Sequence, residues 1–164
     1  MLITFLVAIA ITGALLAYLF LTPSSVVHTE IVIDAPPERV WEVFSDYARY
    51  PEWNPYIPSM RGEWKVGGKI GILVRSLTGK ESKYQPTIYE VIPNRSLVWG
   101  MDGSYPGEVK ARHSFTILPE GSGSRFIHAE AIGGWKVRGV DMTRMAPEYN
   151  NFNEALKKRV ETTN

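Results

Sequence analysis

The run Leu2–Leu21, LITFLVAIAITGALLAYLFL, constrains this chain more than any other feature, because no charged residue interrupts it. Twenty helical residues rising ~1.5 Å each span ~30 Å, the thickness of a bilayer's hydrocarbon core. The run therefore predicts one transmembrane helix over residues 2–21, a single-pass N-terminal anchor. Gly13 is acceptable in such a helix, Tyr18 and Phe20 suit an interface, and Thr22 and Pro23 end it. Two other readings fit less well. A cleaved signal peptide has a shorter apolar stretch, a basic start and an A-x-A site beyond it. Here no Lys or Arg precedes the run, and Ala8-Ile9-Ala10 lies inside it. A buried core helix is rarely apolar on every face. The first Lys or Arg is Arg39, so flanking charge does not assign a side of the membrane.

Residues 22–26 read as a linker, and 27–162 as one domain large enough for a core of its own. The formal net charge is +1, all of it after the apolar run, which gives no field for nucleic acid. With no cysteine, disulfides, thiolate catalysis and Cys–zinc sites are excluded. The three histidines lack zinc-ligand spacing, and no Walker loop, G-x-G-x-x-G or G-x-S-x-G occurs, so neither a metal nor a cofactor is expected.

Thr29, Ile31 and Ile33 alternate as in a strand. Pro36-Pro37 then opens a helix carrying Val40, Trp41 and Phe44, which Tyr50-Pro51 breaks. A second short helical or turn segment runs to Pro58. From 61 to 133, breaks at Gly67-Gly68, Thr78-Gly79, Pro93-Asn94, 103–107 and 121–123 divide a series of short antiparallel strands. Met142, Met145, Tyr149, Phe152, Leu156 and Val160 then recur at helical spacing. Pro147 should kink that helix or begin its second half. The pattern is α+β: a twisted antiparallel sheet around a long C-terminal helix.

The segment IVIDAPPERVWEVFSDYARYPEWNPYIPSM resembles the opening of the SRPBCC superfamily (the START/Bet v 1-like, polyketide cyclase/dehydrase group). The matching pieces are Ile33 to Pro36, Val40 to Asp46 and Tyr50 to Pro55. Tyr84-Gln85-Pro86, Glu90 to Pro93, Leu97-Val98-Trp99, His113-Ser114-Phe115 and Asn153 to Lys157 follow in order. The resemblance implies a helix-grip fold. In it a seven-stranded antiparallel sheet wraps around a long C-terminal helix, with two short helices after the first strand. It also implies a cavity for apolar molecules between sheet and helix, but no single activity.

Candidate lining residues are Trp53 near the mouth, Tyr84, and Leu97 and Trp99 on one strand face. His113 and Phe115 lie on another face, shared with Val109, Ala111 and Ile117. The helix offers Met142, Met145, Tyr149 and Phe152. Each of these is also what a plain core would contain. Tyr56 is a second gate candidate, while Trp64 and Trp135 either line a rim or simply pack. His113 interrupts an apolar face, so it is a candidate for orienting a ligand carbonyl or for acid–base work, with Glu130 as a possible neighbour.

Three functions compete. The first is a membrane-tethered, non-enzymatic binder or carrier of a lipid, isoprenoid, quinone or aromatic metabolite. The second is a cyclase/aromatase-like enzyme using His113. The third is a protein-interaction module of the chaperone-activator type, which needs an exposed apolar patch instead of a deep pocket.

Overall fold

The computed structural model describes residues 2–21, 23–104, 108–137 and 139–163, with the backbone alone for residues 2, 3, 18–21, 23 and 24. Helix α1 spans Leu2–Leu21. Its described side chains run from 4 to 17, and the apolar ones among them stand exposed. Among the described residues no helix is long and apolar enough to cross a membrane. The expected roles of Tyr18, Phe20 and Thr22 lie outside the described side chains. Strand β1 begins at Pro23 and runs to Ile33. The linker expected over 22–26 is thus largely taken into the sheet, because Ser25 and Val26 already pair with Ile132 and Ala131.

Helix α2, Pro37–Ser45, starts with proline in its first turn, where a missing N–H costs nothing, and buries Val40 and Phe44. A 3-10 turn, Tyr47–Arg49, leads into the short α3, Tyr50–Trp53. The Tyr50 hydroxyl donates to the Phe44 carbonyl at 2.6 Å and ties the two helices together. Asn54 then receives the N–H groups of Tyr56 and Ile57 on its side-chain oxygen, at 3.0 and 2.7 Å, and so turns the chain back towards the sheet.

The strands that follow are β2 Ser59–Arg61, β3 Gly71–Arg75, β4 Glu81–Tyr84, β5 Thr87–Ile92, β6 Ser96–Met101, β7 Lys110–Glu120 and β8 Gly123–Gly133. They form a five-stranded sheet in the order β1-β8-β7-β6-β5 and a three-stranded sheet in the order β2-β3-β4. Every pairing between them is antiparallel.

The seven-stranded single sheet expected above is therefore eight strands in two sheets. The division falls at Gln85-Pro86, where proline has no N–H for a ladder and β4 gives way to β5. Three backbone bonds reach across the gap, from Ile70 N–H to the Pro86 carbonyl at 3.0 Å, from Ile88 N–H to the Gly68 carbonyl at 2.9 Å and from Gly67 N–H to the Ile88 carbonyl at 2.9 Å. The two sheets thus form one curved wall. Along β7 the residues Ala111, His113, Phe115 and Ile117 are buried while their neighbours are not, which is the expected alternation. Gly121, at φ 60°, allows the tight hairpin between β7 and β8.

Helix α4, Ala146–Thr162, lies across this wall. The expectation that Met142 and Met145 belong to the same helix is corrected: they lie in a preceding 3-10 turn, Met142–Met145. Pro147 occupies the first turn of α4 and causes the offset, since its ring blocks helix on its N-terminal side. Tyr149, Phe152, Asn153, Leu156 and Val160 form the buried stripe. Phe44 joins helix and sheet, with its ring centroid 5.0 Å from Phe115, 5.5 Å from Phe126 and 6.4 Å from Phe152.

Candidate functional site

The cavity expected between sheet and long helix lies instead on the curved wall beside the 3-10 turn that precedes α4, and none of the residues lining it belongs to α4. A cavity of about 180 Å³ is lined by Tyr56, Ile57, Ile72, Val74, Tyr84, Pro86, Trp99, Gly100, Met101, Ala111, His113, Glu130 and Met145. Most of these side chains are apolar. Its exposed rim is Tyr84 and Met101, 42% and 38% accessible, and Trp99, Ala111 and His113 lie inside.

Of the residues singled out from the sequence, Tyr56, Tyr84, Trp99, Ala111, His113, Glu130 and Met145 meet on this wall. Leu97, Phe115, Met142, Tyr149 and Phe152 are buried outside the lining. Trp53 is away from the cavity and packs edge-on against Tyr50 and Phe152, at 4.9 and 5.9 Å. Trp64 joins the cluster of Trp41, Phe44 and Tyr47. Trp135 is 51% exposed.

The inner end of the cavity is polar, and its hydrogen bonds have a fixed direction. The Thr29 hydroxyl donates to the His128 carbonyl at 3.2 Å, so its oxygen accepts from Asn153 Nδ2 at 3.0 Å. Asn153 Oδ1 lies 3.0 Å from His128 Nδ1 and can only accept, which places the proton on that nitrogen. His128 Nε2 is then a bare acceptor, 2.5 Å from His113 Nε2, which must carry the hydrogen. The chain ends on the lone pair of His113 Nδ1, at the cavity wall. Burial pushes the His113 pKa down from 6.5 to about 3. His128 is also held well below its usual value, by burial first and by His113 second. Both rings are neutral, as the direction of the bonds requires.

His113 and Glu130 are directly opposite in the β7–β8 register, yet they do not pair. His113 turns to His128, while Glu130 accepts the hydroxyl proton of Tyr149. Burial raises the Glu130 carboxyl, and the Tyr149 bond only partly offsets this. Tyr56 lies against Tyr149 with ring centroids 5.5 Å apart, and burial raises both phenols well above their ordinary value. His128 was not singled out from the sequence. The signal for it was the alternation Phe126, His128, Glu130, Ile132 along one face of β8. Among the described residues no group of three or more potential ligands could hold a metal ion.

Residues 25–161 match the model of the family described as polyketide cyclase / dehydrase and lipid transport. The chain belongs to this family. Solved structures share its fold at low identity. A START superfamily protein from Mycobacterium smegmatis is 21% identical, with TM-score 0.64, over 83% of this chain and 97% of that one. Protein CV1439 from Chromobacterium violaceum is 15% identical, with TM-score 0.65, over 84% and 98%. The di-domain ARO/CYC StfQ of the steffimycin biosynthetic pathway is 9% identical, with TM-score 0.63, over 83% of this chain and 50% of that one. No curated protein matches the chain. The family description joins cyclase and carrier members, so the site itself has to discriminate between them.

Proposed function

We propose that this family member is a membrane-tethered binder or carrier of a compact apolar small molecule, held in the cavity of the curved wall beside the turn that precedes α4. The observation that carries the reading is the cavity, with apolar walls, a single polar inner end and a buried Trp99 against it. Its volume of about 180 Å³ narrows the ligand class. A dry apolar cavity of about 150 Å³ suffices for benzene. A ring system or a short isoprenoid head therefore fits, and a whole diacyl lipid does not.

The strand register supports the tether. Met101 pairs with Ala111, Ala111 with Ile132, and Ile132 with Ser25. The cavity rim is thus level with the start of β1, a few residues beyond α1. If residues 2–21 are anchored in a bilayer, the mouth is held at its surface, where apolar ligands concentrate. The cyclase reading loses its proposed acid–base group, because a histidine whose pKa is about 3 is a weak base and stays unprotonated near neutrality. The interaction-module reading calls for an exposed apolar patch, and the exposed apolar side chains of α1 are assigned in this proposal to the membrane instead.

The test is mass spectrometry of the full chain extracted in mild detergent, beside a cavity-filling Ala111→Phe variant. A small apolar molecule retained by the wild type and lost from the variant is the expected result. Equal retention by both, or none by either, would sink the proposal.

A further inference from the structure

The direction of the buried hydrogen bonds says which polar group a ligand must carry, and this inference rests on the cavity-binding reading above. Two of the three polar side chains at the inner end have acceptor capacity to spare and no free proton. His113 uses its only N–H on His128, which leaves the Nδ1 lone pair. Glu130 takes the Tyr149 hydroxyl on Oε2, and its Oε1 remains an acceptor. The third, Tyr56, lies against Tyr149 with ring centroids 5.5 Å apart, and its hydroxyl can donate as well as accept. Among the described residues the one buried side-chain N or O without a partner is Asn54 Nδ2, and His113 and Glu130 both line the cavity. Trp99 also lines the cavity, and its indole nitrogen can only donate.

We propose that the site selects a compact apolar molecule bearing a hydroxyl, an alcohol or phenol, over a carbonyl or a hydrocarbon of the same size. A hydroxyl donates to an acceptor at the Glu130–His113 end and can still accept from the Trp99 N–H. A ketone can only accept, so it leaves the carboxylate end unmet. An alkyl group desolvates that end and returns nothing.

The experiment is calorimetric titration of the full chain in lipid nanodiscs with three probes matched in heavy-atom count: 4-propylphenol, 4-methylacetophenone and butylbenzene. The Ala111→Phe chain under the same conditions corrects for partition into lipid. The expected result is 4-propylphenol binding at least about tenfold tighter than the other two, the discrimination one hydrogen bond to a charged acceptor gives. Glu130→Gln puts an amide donor where an acceptor stood, and it should shrink that ratio to within about twofold. Equal binding of all three probes to the wild type would overturn the hydroxyl preference and leave the cavity reading intact. Binding of none above the Ala111→Phe baseline would overturn both. The wild-type comparison decides the matter even if the Gln variant does not fold.

Discussion

Acidification from pH 8 to 5 should loosen this fold through two histidines before its carboxylates respond. Burial holds His113 at about 3 against an ordinary 6.5, and His128 lies in the same direction. The unfolded chain takes up protons on these rings from about pH 6.5 downward, and the folded chain does not. Their stability contribution is therefore complete above 6.5 and is lost progressively between there and about 3. Each such group removes ~1.4 kcal/mol per pH unit, so His113 alone accounts for ~2 kcal/mol at pH 5, about thirtyfold in the unfolding constant. Glu130 acts with the opposite sign. Its carboxyl is raised in the fold, so the folded state binds that proton first as pH falls and recovers part of the loss. Asp102, Asp141 and Glu161 are lowered, by hydrogen bonds from Tyr89, Thr143 and Lys157 respectively, and contribute losses only at more acid pH. Urea midpoints of the full chain in detergent, together with NMR titration of the histidine ring protons, measure both sides. The rings of His113 and His128 should show no titration down to pH 5, and His113→Phe should flatten the stability slope. A ring midpoint near 6.5 for either residue, or an unchanged slope in His113→Phe, would refute the neutral-pair assignment.

Three further outcomes follow from the geometry. Asn153→Leu strips the donor from Thr29 and the acceptor from His128, and should cost roughly 2–4 kcal/mol in urea unfolding; near-neutral stability would count against the polar chain. Gly100→Ala would bring a Cβ within 1.9 Å of the Ala111 carbonyl oxygen, so β6 and β7 must part; a loss of more than about 2 kcal/mol is expected, and wild-type stability would contradict this close approach. Deleting residues 2–21 should move the protein from the membrane fraction to the supernatant after ultracentrifugation; retention on membranes would remove the tether from the proposed function.

Local rules carried far into this fold. The alternation of Ala111, His113, Phe115 and Ile117 assigned the inward face of β7, and Pro36-Pro37 placed the start of α2. Where the sequence reading failed, a single residue had two permitted uses. Pro147 was compatible with a kink or a helix start, and only docking on the sheet decides between them. A proline after Gln85 ends one strand, but whether the next strand stays in the same sheet depends on curvature that no local pattern encodes. Phe115 and Phe152 resemble the lining residues in every local respect, and they are core because Phe44 of α2 packs against both and they pack against each other. Trp53 is half-buried and packs against that core through Phe152.

The polar residues show why the chemistry of the site was harder to read than its shape. Strand register makes His113 and Glu130 neighbours, and a pairwise reading stops there. What decides their partners is α4, which brings Asn153 and Tyr149 down onto β8 as two separate caps. The helix thereby fixes the tautomer of His128, and through it that of His113. Burying so many polar groups would cost several kcal/mol if any bond were missing, so the arrangement holds α4 in one register against β1, β7 and β8. That same register brings Tyr149 and Asn153 onto the polar residues behind the cavity wall. Fold specificity and the proposed hydroxyl preference would thus rest on the same hydrogen bonds, and Asn153→Leu should disturb that preference even though Asn153 does not line the cavity.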